Sequence, residues 1–328
     1  MIKARKRVLI VQSLHPSALA LLDAREDVEY ELLKDLREIN LLNAVKNVDA
    51  IAIRDAPLSP TVVEKATSTM VISRHGVGYD NIPVHLCTKL NIPVTVVGPV
   101  NAVSVAEHTM FLLLAAAKGG ISLDSAVREG RFSARSNTHG LELRGKRLLL
   151  IGFGQIGREV ALRAACFGLR ILVYDPYLEG SKDLSITLFD SLGEALEQAD
   201  IVSLHLPLTD ETRGILSEQE LALLPKGAIV INTSRGGLVD EQALLDAITS
   251  NALHGAGIDT FNIEPLPKDS ALIAEKRIVL SPHSAALTEN ALIAMGMKTI
   301  ENVLAAIDGV LDPQYVINKE VLGSLQSD

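Results

Sequence analysis

Three charged side chains stand where apolar runs stop. Arg235 follows AIVINT (228–233) and is flanked by Ser234, Gly236 and Gly237. Glu264 follows GAGID (255–259) within GIDTFNIEP, and His283 follows RIVLSP (277–282). A buried strand does not need an arginine at its tip, so the guanidinium is there for something it binds. A planar guanidinium grips a carboxylate through two parallel hydrogen bonds. Histidine moves protons near neutrality. A carboxylate beside it orients the ring and favours the protonated form. Taken singly, the three read as well as a loop arginine, an exposed glutamate and a satisfied histidine. At successive strand ends they form a set able to hold a carboxylate and exchange a proton with an oxygen next to it. Asp259 in the same stretch reads either as a fourth member, beside a bound nicotinamide amide, or as a helix or turn cap.

Residues 148–176, LLLIGFGQIGREVALRAACFGLRILVYDP, carry Gly152, Gly154 and Gly157 in G-x-G-x-x-G spacing. A lone triplet of this kind says little. Here it follows an apolar run, opens an amphipathic segment and leads to a second apolar run tipped by Asp175, which is the full dinucleotide-binding unit. Gly152 permits a tight turn, Gly154 lets a pyrophosphate approach the backbone, and Gly157 lets the helix lie close to the strand. The helix N-terminus offers unpaired N–H groups to the phosphates. Asp175 suits both ribose hydroxyls and repels a 2′-phosphate, which favours NAD over NADP. The fingerprint alone also admits FAD or a nucleotide-sugar. With NAD, the set of Arg235, Glu264 and His283 suits hydride chemistry at a 2-hydroxy or 2-oxo acid.

These residues need elements to position them. Short apolar runs recur at VLIV (8–11), AIAI (50–53), MVIS (70–73) and IPVTVV (92–97), separated by helix-like SALALLDA (17–24), EINLLNAVKN (38–47) and TVVEKAT (61–67). A second series follows: RLLLIG (147–152), RILVYD (170–175), DIVSLHL (200–206) and the three runs above. Continuous apolar strands alternating with amphipathic helices predict parallel sheets covered on both faces. The fold class is therefore α/β, with two doubly wound domains, Rossmann-like and flavodoxin-like. Ligands of such sheets sit beyond the carboxyl ends of the strands, where all the candidate residues fall. The join is expected near Gly98-Pro99. A long helix is expected over 102–117, ended by GGISLD (119–124), and another from about Thr288 to Asp308, crossing back to the first domain.

With 328 residues, 48% of them hydrophobic, the chain holds more than one core. A formal net charge of −9 argues against nucleic acid, which needs a basic face. Trp is absent and aromatics are 3%, so stacking of sugars or bases is not expected. Cys87 and Cys166 form no CxxC pair and no ligand spacing with histidines, which predicts a reduced, cytoplasmic protein without a metal. The N-terminus MIKARKRVLIVQSLHP is basic and then apolar, but a turn closes VLIVQ too soon for a signal core. MFLLLAAA (110–117) is too short to span a bilayer, so no membrane is expected.

Several stretches together resemble the D-2-hydroxyacid dehydrogenases, in particular phosphoglycerate dehydrogenase-like members, nearly end to end. They are SRHGVGYDNIPV (73–84), NAVSVAEHTMFLLLAAAK (101–118), GLELRGKRLLLIGFGQIG (140–157), HLPLTDETRGIL (205–216), NTSRGGLVDEQAL (232–244), GIDTFNIEP (257–265) and SPHSAALT (281–288). The resemblance implies Arg235, Glu264 and His283 as the catalytic set. It implies a discontinuous substrate domain, 1–98 plus 288–328, a NAD-binding domain, 99–287, and an active-site cleft between them. It implies NAD contacts from Gly152, Gly154, Gln155, Ile156, Gly157, Asp175, Pro176, His205, Pro207, Thr212, Thr233, Ser234, Arg235, Asp259, His283 and Ala285. For the substrate it implies Arg54 and Arg74 near the distal end and the N–H groups of Gly76, Val77 and Gly78 near the carboxylate, besides Arg235 and His283; His75 either touches the substrate or only lies in the cleft. Arg54 and Arg74 also read as salt-bridge partners of Asp55 or Asp80, and His75 departs from the family pattern. The implied substrate is 3-phosphoglycerate-like, or hydroxypyruvate or glyoxylate for a reductase; a non-catalytic NAD-sensing corepressor on the same fold is the alternative of another class. A homodimer through the helix near 101–118 is implied. The chain stops near Leu322 without the serine-binding regulatory domain of some phosphoglycerate dehydrogenases, so feedback control by that route is not expected.

Overall fold

The computed structural model describes residues 5–178 and 186–325; the first residues of the basic N-terminus and the last of the expected substrate domain, 1–4 and 326–328, lie outside the described residues. The chain divides into two compact units, Met1–Asn101 with Thr288–Asp328, and Ala102–Leu287.

In the first unit β1 (Lys6–Val11), β2 (Val28–Leu33), β3 (Ala50–Ile53), β4 (Val71–Arg74) and β5 (Val94–Thr95) form a parallel sheet in the order β2-β1-β3-β4-β5. Successive residues of β1 enter opposite cores: Val8 and Ile10 on one face, Leu9 and Val11 on the other. Both faces are covered, so the strand reads as an unbroken apolar run. The helix Glu289–Ile307, capped by Thr288, packs Ile300, Val303 and Ala306 into the Val8 face. Only the middle of IPVTVV pairs with β4, because Val96 turns to the tail: its N–H donates to Tyr315 O at 3.0 Å, and the Ile317 N–H donates to Val94 O at 2.8 Å. The Val94 N–H donates to Asn318 Oδ1 at 2.8 Å. The tail thus covers the edge that β5 would otherwise expose.

In the second unit β6 (Arg147–Ile151), β7 (Arg170–Tyr174), β8 (Ile186–Phe189), β9 (Ile201–Leu204), β10 (Ala228–Asn232), β11 (Leu253–Ile258) and β12 (Ile278–Leu280) run parallel in the order β12-β11-β10-β9-β6-β7-β8. Leu148 and Leu150 face one core, Leu149 and Ile151 the other. The strand order reverses between β6 and β9, the kind of switch point beyond whose carboxyl ends the ligands of open α/β sheets bind. The helix Ala102–Lys118 lies on β11 so closely that a Cβ at Gly257 would stand 2.7 Å from Leu112 Cβ. GGISLD ends this helix at Lys118, as expected, but does not open a loop. Gly119 takes a left-handed φ of 62° and starts a second helix, Gly120–Arg128. A residue without Cβ adopts that conformation at little cost, so the glycine bends the chain and does not end its helicity. Among the described residues no single helix is long and apolar enough to cross a membrane.

Candidate active site

At the switch point the chain leaves β6 and enters the helix Gln155–Cys166. Gly152 has φ 90°, and a Cβ there would lie 2.6 Å from His205 O, just past β9. A Cβ at Gly157 would meet Gly152 O at 2.5 Å. Packing within the protein therefore requires both glycines. It does not require Gly154, where an added Cβ finds no atom within 4 Å. Gly154 is also the N-cap and has no side chain to cap with, so the N-terminus carrying Gln155 and Ile156 keeps open space in front of it. These features fit a pyrophosphate. Asp175 is fixed across the turn, accepting the Phe153 N–H on Oδ2 at 2.8 Å and the Tyr177 N–H on Oδ1 at 3.0 Å, with Pro176 between. His205 Nε2 lies 2.9 Å from Ser203 Oγ, and its Nδ1 is buried without a partner. Burial lowers this histidine to about 3, so it is neutral. Thr212 Oγ1 donates to Pro207 O at 2.7 Å and closes the turn after β9. Thr233 Oγ1 bonds Thr109 Oγ1 at 2.9 Å, and Ser234 Oγ donates to Leu204 O at 2.8 Å, which ties the end of β10 to its neighbours.

Beyond β10, β11 and β12 the three charged residues occupy loops that hold one another. Asn232 bends the chain after β10: its Oδ1 accepts the Ser234 N–H at 3.0 Å and its Nδ2 donates to Arg235 O at 2.7 Å. Arg235 is half-buried, with Nη1 donating to Ser234 O at 2.7 Å. Gly236 backs onto Phe261, where a Cβ would lie 2.0 Å from the carbonyl oxygen. The Gly237 N–H donates to Asn262 Oδ1, and the Asn262 N–H donates to Glu241 Oε1 at 2.6 Å. The Arg235 and Glu264 loops are therefore clasped together. Glu264 accepts the Phe261 N–H on Oε1 at 2.9 Å and pairs through Oε2 with His283 Nδ1 at 2.8 Å. Burial pushes this carboxyl up, but the His283 hydrogen bond, the Phe261 N–H and the charges of His283 and Arg235 outweigh it and hold it below the usual range. An ionised carboxylate only accepts, so Nδ1 carries a proton and Nε2 is the nitrogen left to exchange one.

His283 itself sits at φ 49°, a left-handed conformation that a residue with a Cβ avoids. Asp259 enforces it. The His283 N–H donates to Asp259 O at 2.7 Å. The Asp259 carboxylate accepts Ser281 Oγ–H at 2.5 Å and the Ser284 N–H at 2.9 Å on Oδ1, and the Ala285 N–H at 2.9 Å on Oδ2. Burial raises Asp259, but hydrogen bonds from His108, Ser281, Ser284 and Ala285 outweigh it, and the group stays ionised while fully buried. Of the two roles open to Asp259, the contacts it makes are those of the turn cap.

The remaining candidates lie in the first unit, at the carboxyl ends of β3 and β4 and in the loop that follows. Arg54 Nη1 donates to Ser13 O at 3.2 Å, and its Nη2 stands 3.8 Å from Asp55. Arg74 Nη2 donates to Asp55 Oδ1 at 3.2 Å and its Nη1 to His75 O at 2.7 Å. The Arg74 guanidinium occupies the space over Gly76, at φ 146°, where a Cβ would fall 1.5 Å from Nη1. Burial first, and then the charges of Arg54 and Arg74, lower His75 to about 4, so it is a neutral ring beside two guanidiniums. Val77 is exposed, and Gly78 follows it in the same loop. Asp55 is within ion-pair distance of both arginines.

Residues 110–285 match the sequence model described as D-isomer specific 2-hydroxyacid dehydrogenase, NAD binding domain. The D-3-phosphoglycerate dehydrogenase of Methanocaldococcus jannaschii is 37% identical over 327 residues, which are 98% of this chain and 62% of that protein. The chain thus spans less than two thirds of that relative. The glyoxylate reductase of Aeropyrum pernix is 36% identical over 328 residues, 97% of each chain. Among solved structures, the TT0316 protein from Thermus thermophilus superposes with a TM-score of 0.87 at 33% identity, covering 95% of this chain and 99% of that one. D-lactate dehydrogenase from Aquifex aeolicus, complexed with NAD and lactic acid, gives 0.84 at 26% identity, with 95% and 99% covered.

Proposed function

The chain belongs to the D-isomer specific 2-hydroxyacid dehydrogenases, and from that membership we propose that it is a NAD-dependent enzyme interconverting a small 2-hydroxy acid and its 2-oxo acid. The observation that carries this reading is the 2.8 Å pair of His283 Nδ1 and Glu264 Oε2, with Arg235 near enough for its charge to act on Glu264. Bound NAD(H) supplies the acceptor or donor of hydride. Arg235 holds the C1 carboxylate in bidentate fashion and stabilises charge growing on the neighbouring oxygen. His283 Nε2 gives that oxygen a proton in reduction and takes it back in oxidation, while Glu264 stabilises the imidazolium. The open space at Gly154, before the helix N-terminus, would take the pyrophosphate, and Asp175 would take the ribose, so NAD is preferred to NADP. Ala102–Leu287 is the cofactor unit and the other is the substrate unit. A non-catalytic NAD sensor would need no proton-transfer pair, which speaks against that reading. The cysteine usage, a buried free Cys87 and an exposed free Cys166, suits the cytoplasm. The working assembly is a homodimer.

Within the class, a 3-phosphoglycerate-like substrate is favoured over hydroxypyruvate or glyoxylate, because two arginines, Arg54 and Arg74, stand at the carboxyl ends of β3 and β4, where the ligand of a parallel sheet belongs. Two guanidiniums at that end suit a substrate with a distal anion. The test follows NADH consumption by the wild type and Arg54→Ala on 3-phosphohydroxypyruvate, hydroxypyruvate, glyoxylate and pyruvate. The expected loss in kcat/KM is largest on the phosphorylated acid and smallest on pyruvate. Equal losses on all four would make Arg54 structural and favour the smaller acids. No turnover by the wild type on any 2-oxo acid would overturn the dehydrogenase reading in favour of the sensor.

A further inference from the structure

The helix Ala102–Lys118 sends one polar ring to the histidine loop. His108 Nε2 lies 2.9 Å from Ser281 Oγ and 3.5 Å from Asp259 Oδ1. The Ser281 hydroxyl lies 2.5 Å from the same oxygen of Asp259. The directions of these bonds follow from the charges. Asp259 is an anion and only accepts, so the Ser281 hydroxyl donates to it. The hydroxyl oxygen is left to accept, so the His108 hydrogen sits on Nε2. Phe111, one turn further along, packs its ring 5.5 Å from the imidazole. The adjacent residue, Thr109, bonds Thr233 at the end of β10. Two consecutive residues of one helix thus fasten the strand that leads to Arg235 and the loop that bears His283.

We propose that His108 is a positioning residue for His283, acting through Ser281 and Asp259; the proposal rests on the reading of His283 as the proton-transfer residue. His108 touches neither His283 nor Glu264 in any bond described above. It orients the Ser281 hydroxyl and, through it, the Asp259 carboxylate. That carboxylate is the shared acceptor for the Ser284 and Ala285 N–H groups, and these keep His283 in its left-handed conformation. A non-glycine residue in that conformation persists only where its surroundings over-determine it. With His108 truncated, Ser281 loses its donor, and a half-buried acceptor is left unmatched beside a buried anion. The loop then samples other positions. Catalysis is sensitive to this, since a displacement of about 1 Å costs roughly a hundredfold.

The experiment compares the wild type with His108→Ala, His108→Gln and Ser281→Ala, the last removing the same link from its other end. Two quantities are read: amide hydrogen exchange at Ser284 and Ala285, and steady-state reduction of a 2-oxo acid by NADH. His108→Ala and Ser281→Ala should each raise exchange at these two amides about tenfold, because a local hold is lost while the fold remains. They should lower kcat about tenfold with the KM for NADH within about twofold, the pattern of a misplaced catalytic group and not of lost binding. His108→Gln, whose amide N–H still donates to Ser281, should recover most of both. Unchanged exchange in both alanine variants would overturn the proposal, as would glutamine behaving like alanine or an unchanged kcat. A wild type without turnover would overturn the dehydrogenase reading instead, and the exchange comparison would still decide whether His108 holds the loop.

Discussion

Glu264 accepts from His283 Nδ1 at 2.8 Å as an anion. The Glu264 pKa lies below its ordinary 4.5, so its hydrogen bonds contribute fully above that pH and are lost only as pH falls through the lower folded value. Across the neutral range the partner of Nδ1 is therefore charged. In Glu264→Gln the imidazolium loses that anion and gives up its proton more readily. The alkaline limb of the reduction profile should then move to lower pH, and a pH–rate profile of kcat that does not move would sink the pairing. His283→Ala removes the proton donor itself, so turnover should fall by roughly 10²–10⁴ in both directions while NAD binding, measured by titration, is kept. Near-normal turnover would sink the assignment. The places of Arg235, Glu264 and His283 in the loops after β10, β11 and β12 were legible because each follows an apolar run. Which of its two readings Asp259 follows was not, because its partners Ser281, Ser284 and Ala285 belong to a loop that no periodicity marks. His108 was invisible for a different reason: it meets Ser281 across 173 positions of chain, and spacing in sequence reports only local neighbours.

At the scale of elements, the stretch from β6 through the helix Gln155–Cys166 to β7 acts as one device. Phe153, in the turn after β6, donates its N–H to Asp175 after β7 at 2.8 Å, so the glycine turn and the acid move together. Asp175 has its second oxygen on the Tyr177 N–H, and it presents a fixed carboxylate where the ribose of the proposed cofactor belongs. Hydrogen bonds to a charged group are worth about 1.5–3 kcal/mol each, which is about tenfold or more in binding. Asp175→Ala should lower kcat/KM for NADH at least about tenfold and raise it for NADPH, because the repulsion of a 2′-phosphate disappears. A wild type that uses NADPH as well as NADH would contradict this role. The elements buried on both faces, such as β1, β6 and β10, were readable as apolar runs. The edge strands β2 and β8 were not: VEYELL and ITLF are largely exposed, and an edge strand with one wet face carries no continuous apolar signal. The helix Gly120–Arg128 was missed because two glycines read as an end, whereas Gly119 supplies a bend.

Over the whole molecule, each unit buries a core on both faces of its own sheet, yet one group of helices in Ala102–Leu287 keeps an apolar surface. Val103 and Phe111 on Ala102–Lys118, Ile121 and Val127 on Gly120–Arg128, and Leu162 on Gln155–Cys166 remain 47–59% exposed. Single exposed apolar residues need no explanation, but several on neighbouring helices point to a covered surface. Arg163 and Glu107 stand 3.5 Å apart and tie Gln155–Cys166 to Ala102–Lys118. We read the cover as a second copy of the chain, related by a two-fold axis, so that each residue of the patch enters the interface twice. Val103→Glu tests this without disturbing the fold or the histidine loop. Position 103 lies in the first turn of its helix, where a carboxylate is favourable to the helix dipole, and it makes none of the bonds that involve His108 or Thr109. Inside a two-fold interface the same carboxylate is buried unpaired in both copies, at a cost of several kcal/mol. The dimer dissociation constant should rise by about a hundredfold or more, read by sedimentation equilibrium, with the thermal midpoint of the dilute monomer unchanged. A wild type that sediments as a monomer, or a variant that dimerises as tightly as the wild type, would show that this face is not where two chains meet.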